Sequence, residues 1–186
     1  MSKASPPLIA AAALAGTLLV GMGIAGIVLG SQSDPSTPAP PSAATGPVGL
    51  VPVDAPQAAS PSCTTLLKGL PASLPNGKSP LARRPLANPA PAATAAWGGT
   101  DTTDPVTLRC GLERPSELTP TSELLSVDGV NWLQVTGDDA VSWYAVDRPV
   151  YVALTLPSGL NTGPLQEVSS VLSKLLPATP VQFPGN

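Results

Sequence analysis

Three hydrophobic patterns follow one another along the chain. The first is an unbroken apolar run, Leu8–Gly30, 23 residues without a charge. At about 1.5 Å per helical residue it reaches roughly 35 Å, enough to cross a hydrocarbon core of about 30 Å. It predicts a transmembrane signal-anchor. The head before it, residues 1–7, carries Lys3 and no acidic residue. That bias places this end in the cytoplasm and the C-terminal part across the plasma membrane. The alternative is a cleaved signal peptide and a secreted protein, but such apolar cores run only about 7–15 residues. Gly26 and Gly30 form a small-xxx-small pair that offers a homodimer face.

The second pattern is the lack of one. Residues 31–61 hold eight prolines, no aromatic residue, and Asp34 and Asp54 as the only charges. Such a segment buries too little apolar area to offset its ordering entropy, and it reads as a disordered Pro/Ala/Ser linker. The extracytoplasmic domain is expected over residues 62–186.

The third pattern mixes two periods. Ser62 can cap a short helix, Cys63 to Lys68, ending at Gly69. Pro71, Pro75 and Pro80 prevent its extension. Lys78 to Ala87, with Arg83 and Arg84 adjacent, is the one basic cluster and reads as a solvated loop. From Ala92 the period becomes two. Ala92–Trp97 is a strand candidate. Val106, Leu108, Cys110 and Leu112 alternate with Thr107, Arg109 and Gly111. Val130–Thr136 and Val141–Asp147 flank a Gly137-Asp138-Asp139-Ala140 turn, a hairpin signal. Val150, Val152, Leu154 and Leu156 give another strand. The chain then closes with a helix capped at Gly163. Its apolar stripe is Leu165, Val168, Val171, Leu172, Leu175 and Leu176, with Glu167 early and Lys174 late matching the dipole. The predicted fold is α+β: an antiparallel sheet of four to five strands packed by a short N-terminal and a longer C-terminal helix.

Composition narrows the chemistry. The sequence contains no histidine, which removes the commonest general base and metal ligand. With two cysteines and no histidine, a zinc site of the usual kind is not expected. There is no Gly-x-Ser-x-Gly elbow and no Ser-x-x-Lys. The net charge of −3 with no basic patch argues against nucleic acid. No catalytic residue, cofactor or metal is expected from this inventory.

If the domain is exported, Cys63 and Cys110 sit where disulfides persist, and a bridge between them would staple the first helix to a strand. Reduced, catalytic thiols are the poorer reading, since nothing nearby in sequence would activate them. Tryptophan and arginine are the residues that interfaces favour, so Trp97, Arg109, Trp143 and Arg148 are candidates for a partner surface. Core packing of the tryptophans and a turn role for Arg148 are the competing explanations.

Several of these residues occur in an order that resembles a known family. They are Cys63 with Leu66 and Leu70-Pro71, Ala96-Trp97-Gly98, Val106-Thr107-Leu108-Arg109-Cys110-Gly111 with Pro115, Asp128-Gly129-Val130-Asn131-Trp132, and Asp147-Arg148 with Tyr151-Val152, before the leucine-rich helix. The set is similar to the domain of unknown function 3515 family, small membrane-anchored or secreted actinobacterial proteins. The loop Gly99-Thr100-Asp101 before Pro105 is longer than that pattern leads one to expect. The resemblance implies the topology and the cysteine pair and brings no activity with it. The expected role is a non-enzymatic binding or scaffold module that contacts another envelope protein or component. The alternative is an envelope enzyme or small-ligand carrier with a carboxylate or arginine site. A deep cleft of charged groups with apolar walls would favour the second, and an exposed tryptophan patch the first.

Overall fold

The computed structural model describes residues 46–100 and 103–183. The expected span Leu8–Gly30, its Gly26/Gly30 face and the head before it lie outside these residues. Among the described residues no helix is long and apolar enough to cross a membrane.

Helix α1 spans Pro61–Gly69. It starts two residues before the expected Cys63, because Pro61 suits the first turn and the Ser60 hydroxyl, not Ser62, accepts from the Cys63 amide at 3.2 Å. Eight strands follow: β1 Ser73–Leu74, β2 Leu81–Arg84, β3 Thr94–Trp97, β4 Val106–Leu112, β5 Leu124–Val127, β6 Val130–Thr136, β7 Ala140–Ala145 and β8 Tyr151–Pro157. Helix α2, Gly163–Leu175, closes the fold. The sheet order is β1-β2-β3-β4-β8-β7-β6-β5, and each neighbouring pair is antiparallel. After β4 the chain leaves for the far edge at β5 and works back, so β8 ends beside β4.

This corrects the expectation of four to five strands within an α+β domain. The additional strands β1, β2 and β5 have two, four and four residues. They are too short to show a period, and their neighbours across the sheet define them. The hairpin is as expected, with the Gly137 amide donating to the Ala140 carbonyl at 2.9 Å. At α2, Thr162 is the capping position and Glu167 lies beyond the first turn, where it gains little from the dipole.

The two faces of the sheet carry different loads. Cys110, Leu108, Trp97, Trp132 and Leu154 point to one face. There they meet Leu66 of α1 and Leu165, Val168 and Leu172 of α2 in the main core. Trp132 donates its indole N–H to the buried Ser169 hydroxyl at 2.9 Å, tying β6 to α2. The disulfide Cys63–Cys110 joins α1 to β4. On the opposite face a smaller cluster gathers Leu118, Leu133 and Val146, with Tyr144, Tyr151, Val181 and Phe183 against it. The tail past α2 reaches this cluster, held by the Thr179 amide on the Asp147 carbonyl at 2.9 Å.

The linker expectation needs a second correction. From residue 46 onward the segment packs against the domain. Val48 is buried and forms a parallel bridge with Leu86; its amide donates to Pro85 and its carbonyl accepts from Ala87. The Gln57 amide then donates to the Gly111 carbonyl at 3.0 Å. Gly111 sits at a bulge between β4 and β8 with φ +84°. A Cβ there would lie 2.3 Å from the Ala58 nitrogen, so only glycine admits this approach. Composition hid the docking because a single buried valine and backbone hydrogen bonds hold a segment that is otherwise polar and proline-rich.

Candidate functional site

A cleft of about 700 Å³ lies at the β1–β2 end of the sheet. Three segments build it: Asn76 to Pro85 through β2, the β3–β4 connection with Gly98 and Asp104, and the β8–α2 turn Pro157 to Leu160. Its walls include Pro80, Leu81, Val106, Pro157 and Leu160, and its polar groups include Arg83, Arg84 and Asp104.

Successive residues of a strand face opposite ways, so Arg83 and Arg84 diverge. Arg83 faces its register partner Trp97, its guanidinium 5.5 Å from the ring centroid, and donates to the Leu70 carbonyl at 3.4 Å. The indole beneath donates to the Pro71 carbonyl at 3.0 Å. Arg84 turns to the other side. It donates to the Gly98 carbonyl at 2.7 Å and, through Nε and Nη2, to the Gly46 carbonyl. Both cations are held by neutral carbonyls, and among the described residues neither forms an ion pair. The basic cluster read as a solvated loop is therefore a strand bordering the cleft. The signal available in sequence was the adjacent arginine pair, which an extended backbone splits between two faces.

The four candidate surface residues separate. Trp97 is fully buried, and this removes it from any partner surface: it fills the core under Arg83. Arg148 is also buried. Its Nη1 lies 2.9 Å from Asp147 Oδ1, and its guanidinium donates to the Asp147 and Gly129 carbonyls, both at 2.8 Å. It locks the β7–β8 connection. Trp143 is half-buried on the core side of β7. Arg109 is half-buried on the opposite face, which by register it shares with Arg84 and not with Arg83. Burial pushes its pKa down from the ordinary value, while Tyr144 nearby raises it. The Tyr144 phenol is shifted up, first by burial, then by Glu117, with Arg109 opposing.

Among the described residues, no group of three or more aspartate, glutamate or cysteine side chains is placed to hold a metal ion. The cleft is instead bordered by two fixed arginines, one on each face of β2, beside apolar walls. That arrangement recognises negative charge on an apolar body.

A model for a protein family, described as Protein of unknown function (DUF3515), matches residues 12–181. No curated protein and no solved structure matches the chain.

Proposed function

The chain belongs to the DUF3515 family, whose description carries no activity, and on that premise we propose a function from the geometry of the domain: a tethered envelope module that binds an amphipathic, negatively charged ligand in the cleft between β2 and the β8–α2 turn. The observation that carries this reading is the combination of about 700 Å³ of largely apolar cleft with Arg83 and Arg84 held by carbonyls. Asp104 offsets one positive charge and leaves the cleft with a net cation. This is the carrier branch of the alternatives weighed above.

Anilinonaphthalenesulfonate has the matching chemistry, an aromatic body with one anionic group. The full-length protein in detergent is expected to bind it saturably, with a single fluorescence isotherm. Arg83→Ser and Leu160→Asp should each weaken binding about tenfold or more, equivalent to roughly 1.4 kcal/mol. Absence of saturable binding by folded wild-type protein would refute the proposal.

We propose further that Leu8–Gly30 anchors the domain outside the plasma membrane. The uncharged length of that run and the disulfide, which persists in oxidising compartments, support it. The expected result is retention in the membrane fraction through an alkaline wash. A mature N-terminus after Gly30 would replace the anchor with secretion. Contact with another envelope protein is a second reading. Val51 and Val53, exposed on the segment before α1, favour it. Site-specific crosslinking from Val51 in intact cells should trap a defined partner.

A further inference from the structure

A second site lies on the outer face of the sheet, opposite the helices, on the side to which Arg84 turns and Arg83 does not. Cross-strand register sets Leu133, Tyr144, Ala153, Arg109 and Thr94 in one row. The small, buried Ala153 separates Tyr144 from Arg109 in this row. Two residues along, Ser142, Thr155 and Thr107 make a parallel row of hydroxyls, with Ser142 and Thr155 sharing a hydrogen bond at 2.9 Å. Over both rows passes the strap, residues 48–57, fixed by its bridge to Leu86 and by Gln57 on Gly111. Between these anchors the strap has no backbone hydrogen bond to the sheet among the described residues.

Two hollows meet at Arg109 beneath this strap. One, of about 270 Å³, is lined by Val48 to Val51, Asp104, Thr107, Thr155 and Arg109. The other, of about 210 Å³, is lined by Pro52, Val53, Thr94 and Arg109. Arg109 Nη1 is buried and has no hydrogen-bond partner among the described residues. A guanidinium stays charged under ordinary conditions, so a buried, unpartnered Nη1 is costly. Arg148, whose Nε is also without a partner, still has its guanidinium on two carbonyls and Asp147, whereas Arg109 borders two hollows lined by Thr94, Thr107 and Thr155.

We propose that Arg109, with Thr107 and Thr155, forms a binding site for a small monocarboxylate held beneath the strap. The planar guanidinium matches a carboxylate through paired N–H donors, and the threonine hydroxyls supply further donors. Size restricts the ligand: about 270 Å³ lies below the usual range for drug-sized molecules. Charge restricts it further. One cation neutralises one negative charge, and Asp104 at the rim repels a dianion. Val48 and Leu50 provide an apolar side for a short alkyl chain. Asp104 and Pro157 border both this hollow and the cleft, while Arg109 lines only the hollows beneath the strap, so a test that reads Arg109 can fail without the cleft proposal failing.

The test uses the full-length protein in detergent, with butyrate and inorganic phosphate as probes. Butyrate is expected to shift the Arg109 side-chain Nε–Hε NMR signal saturably, with a dissociation constant of about 1 mM, and to raise the melting temperature. Phosphate should do neither. Thr107→Val and Thr155→Val should weaken butyrate binding about tenfold together while leaving Arg109 in place. Arg109→Gln should abolish the butyrate-dependent rise in melting temperature. An unmoved Arg109 signal in wild-type protein at saturating butyrate overturns the proposal, as does an equal response to phosphate. The wild-type titration decides the matter even if the Arg109 variant does not fold.

Discussion

At the scale of single residues, buried polar groups set the largest expected effects. Asp147 and Arg148 form the one ion pair among the described residues, and both are buried. The contact is held by charge more than by alignment, because Asp147 Oδ1 and Arg148 Nε have no hydrogen-bond partner. Removing the cation alone strands a carboxylate in low dielectric. Arg148→Met is therefore expected to lower unfolding free energy by about 3–5 kcal/mol. Urea unfolding measures it, and a loss within error of zero would mean the pair is not buried in solution. Tyr144 gives a pH signature. Its folded-state pKa lies above the ordinary value of 10.0, raised first by burial and then by Glu117. A raised value favours the neutral phenol, so its contribution is fully present below about pH 10 and is lost as pH rises through the folded value. Stability should fall with pH from about 10 upward, and Tyr144→Phe, which has no proton to lose, should show a shallower fall. Parallel slopes for the two proteins would place Tyr144 in water.

At the scale of elements, the disulfide is the clearest coupling. It links α1 to β4 across a sequence separation of 47. In the chain-entropy picture, closing a loop of that size stabilises the fold by about 4 kcal/mol. Cys63→Ser/Cys110→Ser should lose about that much in chemical denaturation. The double substitution should also loosen α1 more than β6–β7, whose hairpin is closed locally. The α2 stripe behaves as its spacing says: Leu165, Val168, Leu172 and Leu176 are buried, while Val171 and Leu175 pack at the border. The long strands β4, β6 and β8 keep their alternation in part: Leu108, Trp132 and Leu154 face the core as expected. Leu133 and Ala153 are buried on the other face, and the bulge at Gly111 pairs Leu112 with Tyr151. The short strands are not self-sufficient. β2 pairs with β3 only through Arg83 opposite Trp97 and Arg84 opposite Ala96, and its placement comes from those partners.

At the scale of the whole molecule, the strap decides what the outer face of the sheet can do. It enters at Gly46 on Arg84, docks at Val48, passes over Arg109 and lands on Gly111. Three consecutive residues thus serve three purposes: Arg109 lines the covered groove, Cys110 anchors α1, and Gly111 receives the strap. Hydrogen exchange should find the amides of Val48, Gln57 and Ala87 protected and those of 50, 51 and 53 fast. Gly111→Ala should abolish Gln57 protection, since its Cβ would fall 2.3 Å from the Ala58 nitrogen. Retained protection in that variant would show that the strap docks without the bulge.

The division between sequence and tertiary structure follows from range. Periodicity depends on neighbours along the chain, so α2, the long strands, the hairpin and the α+β class were legible from residues alone. The cysteine pairing also was, because its two ends fell on elements that the pattern already placed. The Leu8–Gly30 run was legible as an apolar segment of spanning length for the same local reason. What only the tertiary structure decided was everything held by a partner distant in sequence. Trp97 stood open between a partner surface and core packing until its burial beneath Arg83 placed it in the core. Arg83 and Arg84 looked solvated until β3 gave them a strand partner and a cleft. Residues 46–60 looked like linker until Val48 found Leu86 and Gln57 found Gly111. Polar and short segments gain their order from backbone hydrogen bonds and from one or two buried side chains, and neither leaves a period in the sequence.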